Sequence, residues 1–298
     1  MRYIGHAREQ DIFSRAVESG KLVHAYIFSG KESCGKKLMA IEIARALFCG
    51  VKLFEESESR HAVQIDAGAH PDLHLFEDDS IPVEKVRKIS ETAFLSPHSA
   101  SHKVFVIDNA HNMRAEASNA FLKTLEEPCK NTLFFLITDK YERLLPTIRS
   151  RCVHIEFSNL TDEEVSAIIR KIRPDAENFS AAVKLAAGSV GHALYFLEKG
   201  AEDEWKLFET LNAEKLYKRL ESLKEKDDIR IFCSVLYGWL LEKYRKNSDP
   251  LMAEFANYLL DILQRLNYNV NLDIFRFDLF TKIAEVLIER DRSYRSGV

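Results

Sequence analysis

The sequence predicts an α/β domain on a five-stranded parallel sheet, followed by a small helical domain and an all-α domain. Three observations carry this. Five short apolar runs alternate with stretches of helical spacing through the first half of the chain. One of those runs ends in a glycine-rich turn that opens a helix. After Phe157 no strand pattern recurs. Near-continuous apolar strands separated by helices indicate a parallel sheet covered on both faces.

The elements follow in order. HAYIFS (His24 to Ser29) is the first strand, and KKLMAIEIARALF is a helix by its apolar spacing. DLHLF (Asp72 to Phe76) is the second strand. IPVEKVRKISETAFL places Val83, Val86, Ile89 and Phe94 on one helical face, with Pro82 suited to the first turn. KVFVID (Lys103 to Asp108), TLFFLIT (Thr132 to Thr138) and VHIEF (Val153 to Phe157) are the remaining strands. NMRAEASNAFLKTLEEP is a helix that Pro128 stops.

The pattern then changes. TDEE (Thr161 to Glu164) is a capping box ahead of Val165, Ile168, Ile169 and Ile172 at helical spacing, and Pro174 ends that helix. A second helix runs to Gly188, and GSVGHAL opens a third. From about Glu202 four segments read as amphipathic helices: FETLNAEKLYKRLESL, DIRIFCSVLYGWLLEKY, LMAEFANYLLDILQRL and IFRFDLFTKIAEVLIER. Boundaries near Ser158 and Gly200 give domains of 1–157, 158–200 and 201–298. A chain of 298 residues has the length for such units.

Bulk properties narrow the function. The net charge is −4, so any contact with nucleic acid needs a local basic patch. No apolar run is long enough to span a membrane, and the MRYIGHAREQ start lacks the apolar stretch of a secretion signal. Five scattered cysteines without a C-x-x-C pair suit free thiols in a reducing cytoplasm.

Four motifs carry chemistry. GKESCGKK (Gly30 to Lys37) matches the phosphate-binding P-loop up to its last position. Gly30, Gly35 and Lys36 are the residues such a loop needs to wrap and neutralise phosphates. The last position calls for a hydroxyl that ligates Mg²⁺, and Lys37 stands there instead. VFVIDNAH delivers Asp108 at the end of a buried strand, the place of a metal-binding acid. The next residue, where a hydrolytic site carries Glu to orient water, is Asn109, which cannot act as a general base. PTIRSRC holds Arg149 and Arg151 just before a strand. An arginine finger and an ordinary surface salt bridge fit it equally well on the motif alone. In GSVGHAL, His192 is a surface residue or a weak phosphate contact. A metal site from Cys49, His61 and His70 is set aside, because their spacing lacks the close ligand pairs of zinc sites.

Together, HAYIFSGKESCGKK, HPDLHLF, KVFVIDNAHNMRAEASNAFLKTLEEP, NTLFFLIT and LLPTIRSRC closely resemble the clamp-loader branch of the AAA+ ATPases. The resemblance implies an AAA+ P-loop domain over 1–157, a lid over 158–200 and an oligomerising collar over 201–298 that includes NYNVNLD. Within the branch the match is best to the delta-prime subunits of the bacterial DNA polymerase III loader. Motor subunits of that family carry GKT and Asp-Glu where this chain has Lys37 and Asn109. By the resemblance, sensor 1 falls near Thr138, the sensor-2 arginine falls at His192, and the SRC arginine is Arg151. The implied role is a non-hydrolysing subunit that offers Arg151 to a neighbour's ATP. Implied partners are the gamma/tau motors and the delta subunit in a hetero-pentameric ring. The sliding clamp and primed DNA are engaged through that complex. No cofactor is expected to be required, with ATP binding weak or absent. Relatives often carry a four-cysteine zinc module after the first helix; only Cys49 remains of it here, so no zinc is expected. Two other readings stay open: an active motor subunit, and a stand-alone P-loop protein such as a kinase.

Overall fold

In the computed structural model, the described residues are 3–296 apart from 79, 211, 249, 267, 269 and 270. The chain forms two compact units, Met1–Glu164 and Val165–Val298.

The first unit holds all five strands: β1 (Ala25–Ser29), β2 (Leu73–Phe76), β3 (Lys103–Ile107), β4 (Thr132–Thr138) and β5 (Val153–Glu156). Their order in the sheet is β2-β3-β4-β1-β5, and every pairing is parallel. The helices are α1 (Ala7–Glu18), α2 (Lys36–Cys49), α3 (Arg60–Asp66), α4 (Val83–Phe94), α5 (Ala115–Glu126) and α6 (Pro146–Arg149), with α7 (Asp162–Ile172) crossing the division.

Strand alternation sorts the core into two layers. Tyr26, Phe28, Val104, Val106, Leu133, Phe135 and Ile137 face one side, where Phe13 of α1 and Met39 and Ile43 of α2 cover them. Ala25, Ile27, Phe105, Ile107, Phe134 and Leu136 face the other, against Val86 and Ile89 of α4, Phe121 of α5 and Ile148 of α6. Both layers are nearly dry, and each fully buried aliphatic or Phe side chain contributes about 1.5–3 kcal/mol of transfer free energy. Strand β5 departs from the expected buried run. It stands at the sheet edge, and Val153 is 39% exposed. Pro82 sits at the cap of α4, one place earlier than expected, and Phe94 is exposed rather than on the buried face.

Two buried charges fix the far end of this sheet. Asp72, fully buried, accepts backbone N–H groups from His98 (2.6 Å), Ser99 (2.8 Å) and Ala100 (2.9 Å), and the Ser99 hydroxyl at 3.2 Å. Lys103 Nζ donates to the carbonyls of Thr92 (2.8 Å), which also accepts the Leu95 N–H, and Leu95 (3.0 Å), holding the end of α4.

The capping box at α7 is as the sequence indicates: Thr161 Oγ1 accepts from the Glu164 N–H (3.2 Å), and Glu164 Oε2 accepts from the Thr161 N–H (2.8 Å). In the second unit α8 (Ser180–Ala186), α9 (Val190–Glu198), α10 (Ala201–Glu209), α11 (Ala213–Ser222), α12 (Lys226–Asn247), α13 (Pro250–Arg265) and α14 (Leu272–Ser296) follow. The single helix expected over FETLNAEKLYKRLESL is two, because Asn212 caps a new one with its side chain on the Lys215 N–H at 2.9 Å. One apolar core, with Phe208, Phe232, Trp239, Leu259 and Leu279, runs through the helices, and Leu185 of α8 and Phe196 of α9 pack against it. Three residues of the NYNVNLD stretch, 267, 269 and 270, lie outside the described residues.

Candidate nucleotide site

Parallel α/β sheets place their sites beyond the carboxyl ends of the strands. Here Ser29 and Thr138 are register partners at the ends of β1 and β4, and Asp108 directly follows β3. The sequence-predicted residues Gly30, Gly35, Lys36, Lys37, Asp108, Asn109 and Thr138 therefore converge beyond the carboxyl ends of the inner strands. His192 belongs to the second unit. It is exposed on α9, and its N–H is capped by Ser189 Oγ at 3.2 Å.

The P-loop has the expected frame. Gly30 adopts φ 137°, and a Cβ there would lie 2.4 Å from the Phe157 carbonyl oxygen, so only glycine fits. The loop's own carbonyls are engaged from within the chain. Tyr3 Oη donates to Gly35 O at 3.1 Å, and His6 Nε2 donates to Cys34 O at 2.7 Å. Lys36 is 5% exposed and turns inward, donating to Gly30 O (2.6 Å) and Lys31 O (2.5 Å). Burial pushes its pKa down, and the nearby Cys34, Asp108, Asp139 and Glu32 partly offset this.

The metal position does not fit a metal. Lys37 Nζ lies 3.1 Å from Glu77 Oε2 and 4.0 Å from Asp108 Oδ2. An ammonium has three donors and no lone pair to offer a cation. Asp108 Oδ1 accepts the Asn109 N–H at 2.9 Å. Asn109 itself sits at φ 50°, a left-handed geometry that Asn tolerates better than most residues. Thr138 is 1% exposed; its Oγ1 accepts the Lys140 N–H (2.9 Å) and is hydrogen-bonded to His111 Nδ1 at 3.0 Å. Burial lowers the His111 pKa, and Asp139 at 3.4 Å works against that shift.

Arg151 follows α6. Its Nη2 donates to Glu126 Oε1 at 2.5 Å, and its Nη1 to Thr147 O at 2.9 Å. Within the chain the arginine is thus paired with a carboxylate, the surface salt bridge that the motif also allowed. The reason is tertiary: the last residue of α5 ends beside α6. Arg149 is bonded to Glu142 and stacked 5.1 Å from the Tyr141 ring centre.

In the cysteine-poor stretch the histidines and Cys49 are engaged with protein partners. His70 Nδ1 accepts the Asp72 N–H (3.1 Å), which leaves Nε2 to donate to His61 Nδ1 at 2.9 Å. Cys49 Sγ accepts from the Ser59 hydroxyl at 3.1 Å. Among the described residues no three His, Cys, Asp or Glu side chains gather as a metal set.

Glu77, His111, Tyr3 and His6 were not anticipated. Glu77 could have been, since it is an acid directly after a strand beside β3. The other three contacts are long-range and leave no local signature.

Residues 5–161, more than half of the chain, match the family described as DNA polymerase III, delta subunit. DNA polymerase III subunit delta' of Bacillus subtilis (strain 168) is 34% identical over 219 residues, covering 70% of this chain and 65% of the relative. The chain therefore spans just under two thirds of that relative's length. DNA polymerase III subunit gamma of Buchnera aphidicola subsp. Schizaphis graminum (strain Sg) is 27% identical over 285 residues, covering 90% and 76%. A crystal structure of a DNA polymerase III, gamma subunit-related protein from Thermotoga maritima superposes with a TM-score of 0.52 at 17% identity, covering 93% of this chain and 98% of that one. At that identity the match speaks to fold alone, and the fold is the parallel α/β sheet with a helical region after it that the sequence predicts. Sheet order, P-loop frame and family match agree over the same residues, and the chain belongs to the DNA polymerase III delta subunit family.

Proposed function

We propose that this chain is a delta-prime-type subunit of a replicative clamp loader, one that holds no hydrolytic site of its own and serves the ATP of a neighbour through Arg151. The observation that carries the proposal is Lys37 between Glu77 and Asp108, at 3.1 and 4.0 Å, where a working site needs a hydroxyl and a metal. Asn109 in place of a carboxylate supports it. No step of hydrolysis is assigned to this chain. Its P-loop shell acts as scaffold: Gly30 packs on Phe157 at the end of β5, the strand that Arg151 precedes by two residues.

In this reading 1–157 is the AAA+ domain, 158–200 the lid and 201–298 the collar. The partners are gamma/tau-type motors and a delta subunit in a hetero-pentameric ring, and the sliding clamp and primed DNA are met through the complex. The relatives named gamma and delta' support such company. No helix among the described residues is long and apolar enough to cross a membrane. The fork of Arg151 suits phosphate oxygens better than a lysine would. Its pair with Glu126 is a surface contact worth about 0–1 kcal/mol, so exchange for a neighbour's phosphate costs little. The test is to purify the chain with candidate motor and delta subunits, then measure ATPase and clamp loading with and without it. Co-assembly and a loading defect on omission are expected. Turnover by the isolated chain would favour the active-motor alternative.

A further inference from the structure

The P-loop frame carries a hydroxyl at its last position; this chain carries an ammonium, and the ammonium stands against two carboxylates. Lys37 Nζ is 3.1 Å from Glu77 Oε2 and 4.0 Å from Asp108 Oδ2. The three residues come from three elements: the first turn of α2, the residue after β2 and the residue after β3. Strands β2 and β3 are adjacent and parallel, with Phe76 opposite Ile107 as their last pair. Glu77 and Asp108 therefore leave the sheet side by side. Carboxylates so placed disfavour one another's charge unless a cation stands near both. The other oxygen of Asp108 is taken by the Asn109 N–H at 2.9 Å, so the acid is engaged on both sides. Lys36, the usual phosphate ligand, is turned inward onto the Gly30 and Lys31 carbonyls; it feels the charge of Asp108, but its ammonium bonds to those carbonyls, and the ion pairs to Glu77 and Asp108 are those of Lys37.

We propose that Lys37 is a built-in cation. Its ammonium balances the charge at the carboxyl ends of β2 and β3, the task a divalent metal performs in the usual frame, and by doing so keeps a metal out. This deepens the non-hydrolysing reading but rests on the geometry of these three residues alone, not on assembly. Lys37 is 39% and Glu77 51% exposed, so water weakens the pair and the effect on folding is small. The larger effect falls on cation affinity, because an ammonium 3.1 and 4.0 Å from the two carboxylates repels a divalent ion brought to the same oxygens.

The experiment titrates the full chain with Mn²⁺ in the absence of nucleotide and follows free Mn²⁺ by electron paramagnetic resonance. The proteins compared are the wild type, Lys37→Thr, Lys37→Gln, Lys37→Arg and the double variant Lys37→Thr/Asp108→Asn. The wild type and Lys37→Arg are expected to take up no Mn²⁺ at sub-millimolar concentration. Lys37→Thr and Lys37→Gln are expected to bind one equivalent, about tenfold or more tighter than wild type, as removal of a unit charge about 5 Å from a divalent ion implies, and Asp108→Asn in the double variant should abolish that gain. Uptake of one equivalent by the wild type at sub-millimolar Mn²⁺, absent from the double variant, would overturn the proposal. So would folded Lys37→Thr and Lys37→Gln proteins with wild-type Mn²⁺ affinity. Neither result depends on whether the chain joins a loader.

Discussion

At the scale of single residues, the site is defined by what two positions cannot do. Lys37 offers no lone pair to a metal, and Asn109 offers no base to a water. The isolated chain should therefore show no ATP turnover above a buffer blank. Lys37→Thr alone should not restore it, because Asn109 remains; phosphate release that follows either protein through purification would contradict this. Those two identities were legible in the sequence, since a motif names its own missing letters. The partners were not. Glu77 meets Lys37 only once β2 lies beside β3, and Arg151 meets Glu126 only once α5 ends beside α6. Asp72 is a second case, inconspicuous in HPDLHLF yet the anchor of residues 98–100. Burial by itself would push its pKa up, but the N–H groups of His98, Ser99 and Ala100 and the Ser99 hydroxyl outweigh burial and hold it below the usual carboxylate range. Asp72→Asn should cost about 2–3 kcal/mol, as charge-assisted bonds to a buried acceptor are lost. The depressed pKa sets the sign. The advantage of wild type over the variant is complete above about pH 4 and shrinks as pH falls through the folded-state value. Urea midpoints at neutral and acid pH check both statements, and equal midpoints at neutral pH would refute the first.

At the scale of elements, the five strands were legible because each is an apolar run bounded by polar or turn residues, and strand alternation distributes them correctly to two faces. Position in the sheet was not legible. VHIEF reads like its neighbours, yet β5 is exposed because it lies at the edge, a property of strand order rather than of the run. The break between α10 and α11 was hidden for a different reason: Asn212 is one polar residue among many, and only its bond to the Lys215 N–H marks it as a cap. Gly30 shows an element holding another in place. Its role as a phosphate cradle is what the motif suggests, but the Phe157 carbonyl 2.4 Å from a hypothetical Cβ demands glycine by itself. Backbone cannot yield as a side-chain tip can. Gly30→Ala should destabilise the first unit by about 3 kcal/mol, through left-handed strain and overpacking together. A chemical denaturation curve reads this directly, and a shift below about 0.5 kcal/mol would show that the turn relaxes freely.

At the scale of the whole molecule, two compact units with separate apolar cores should not unfold as one. Both tryptophans, Trp205 and Trp239, lie in the second unit, so their fluorescence reports on that unit alone. Urea curves by tryptophan fluorescence and by far-ultraviolet circular dichroism should therefore differ in midpoint or shape; coincident curves would show one cooperative body. Division into lid and collar was read from helix spacing, yet Leu185 and Phe196 of the first segment pack on the core of the second. A cut at Gly200 would uncover both side chains, which makes point substitution the better probe of function. The central claim is that this chain acts on a neighbour's nucleotide through Arg151, and it is tested most directly by Arg151→Ala in a reconstituted loader. Arginine fingers contribute on the order of 10³–10⁵ in rate at the site they serve, and a loader has several sites. The account predicts unchanged subunit folding and assembly, a partial fall in total ATPase, a larger fall in clamp loading, and a milder effect of Arg149→Ala. Clamp loading at the wild-type rate by a fully assembled Arg151→Ala loader would contradict it and leave Arg151 as the surface partner of Glu126.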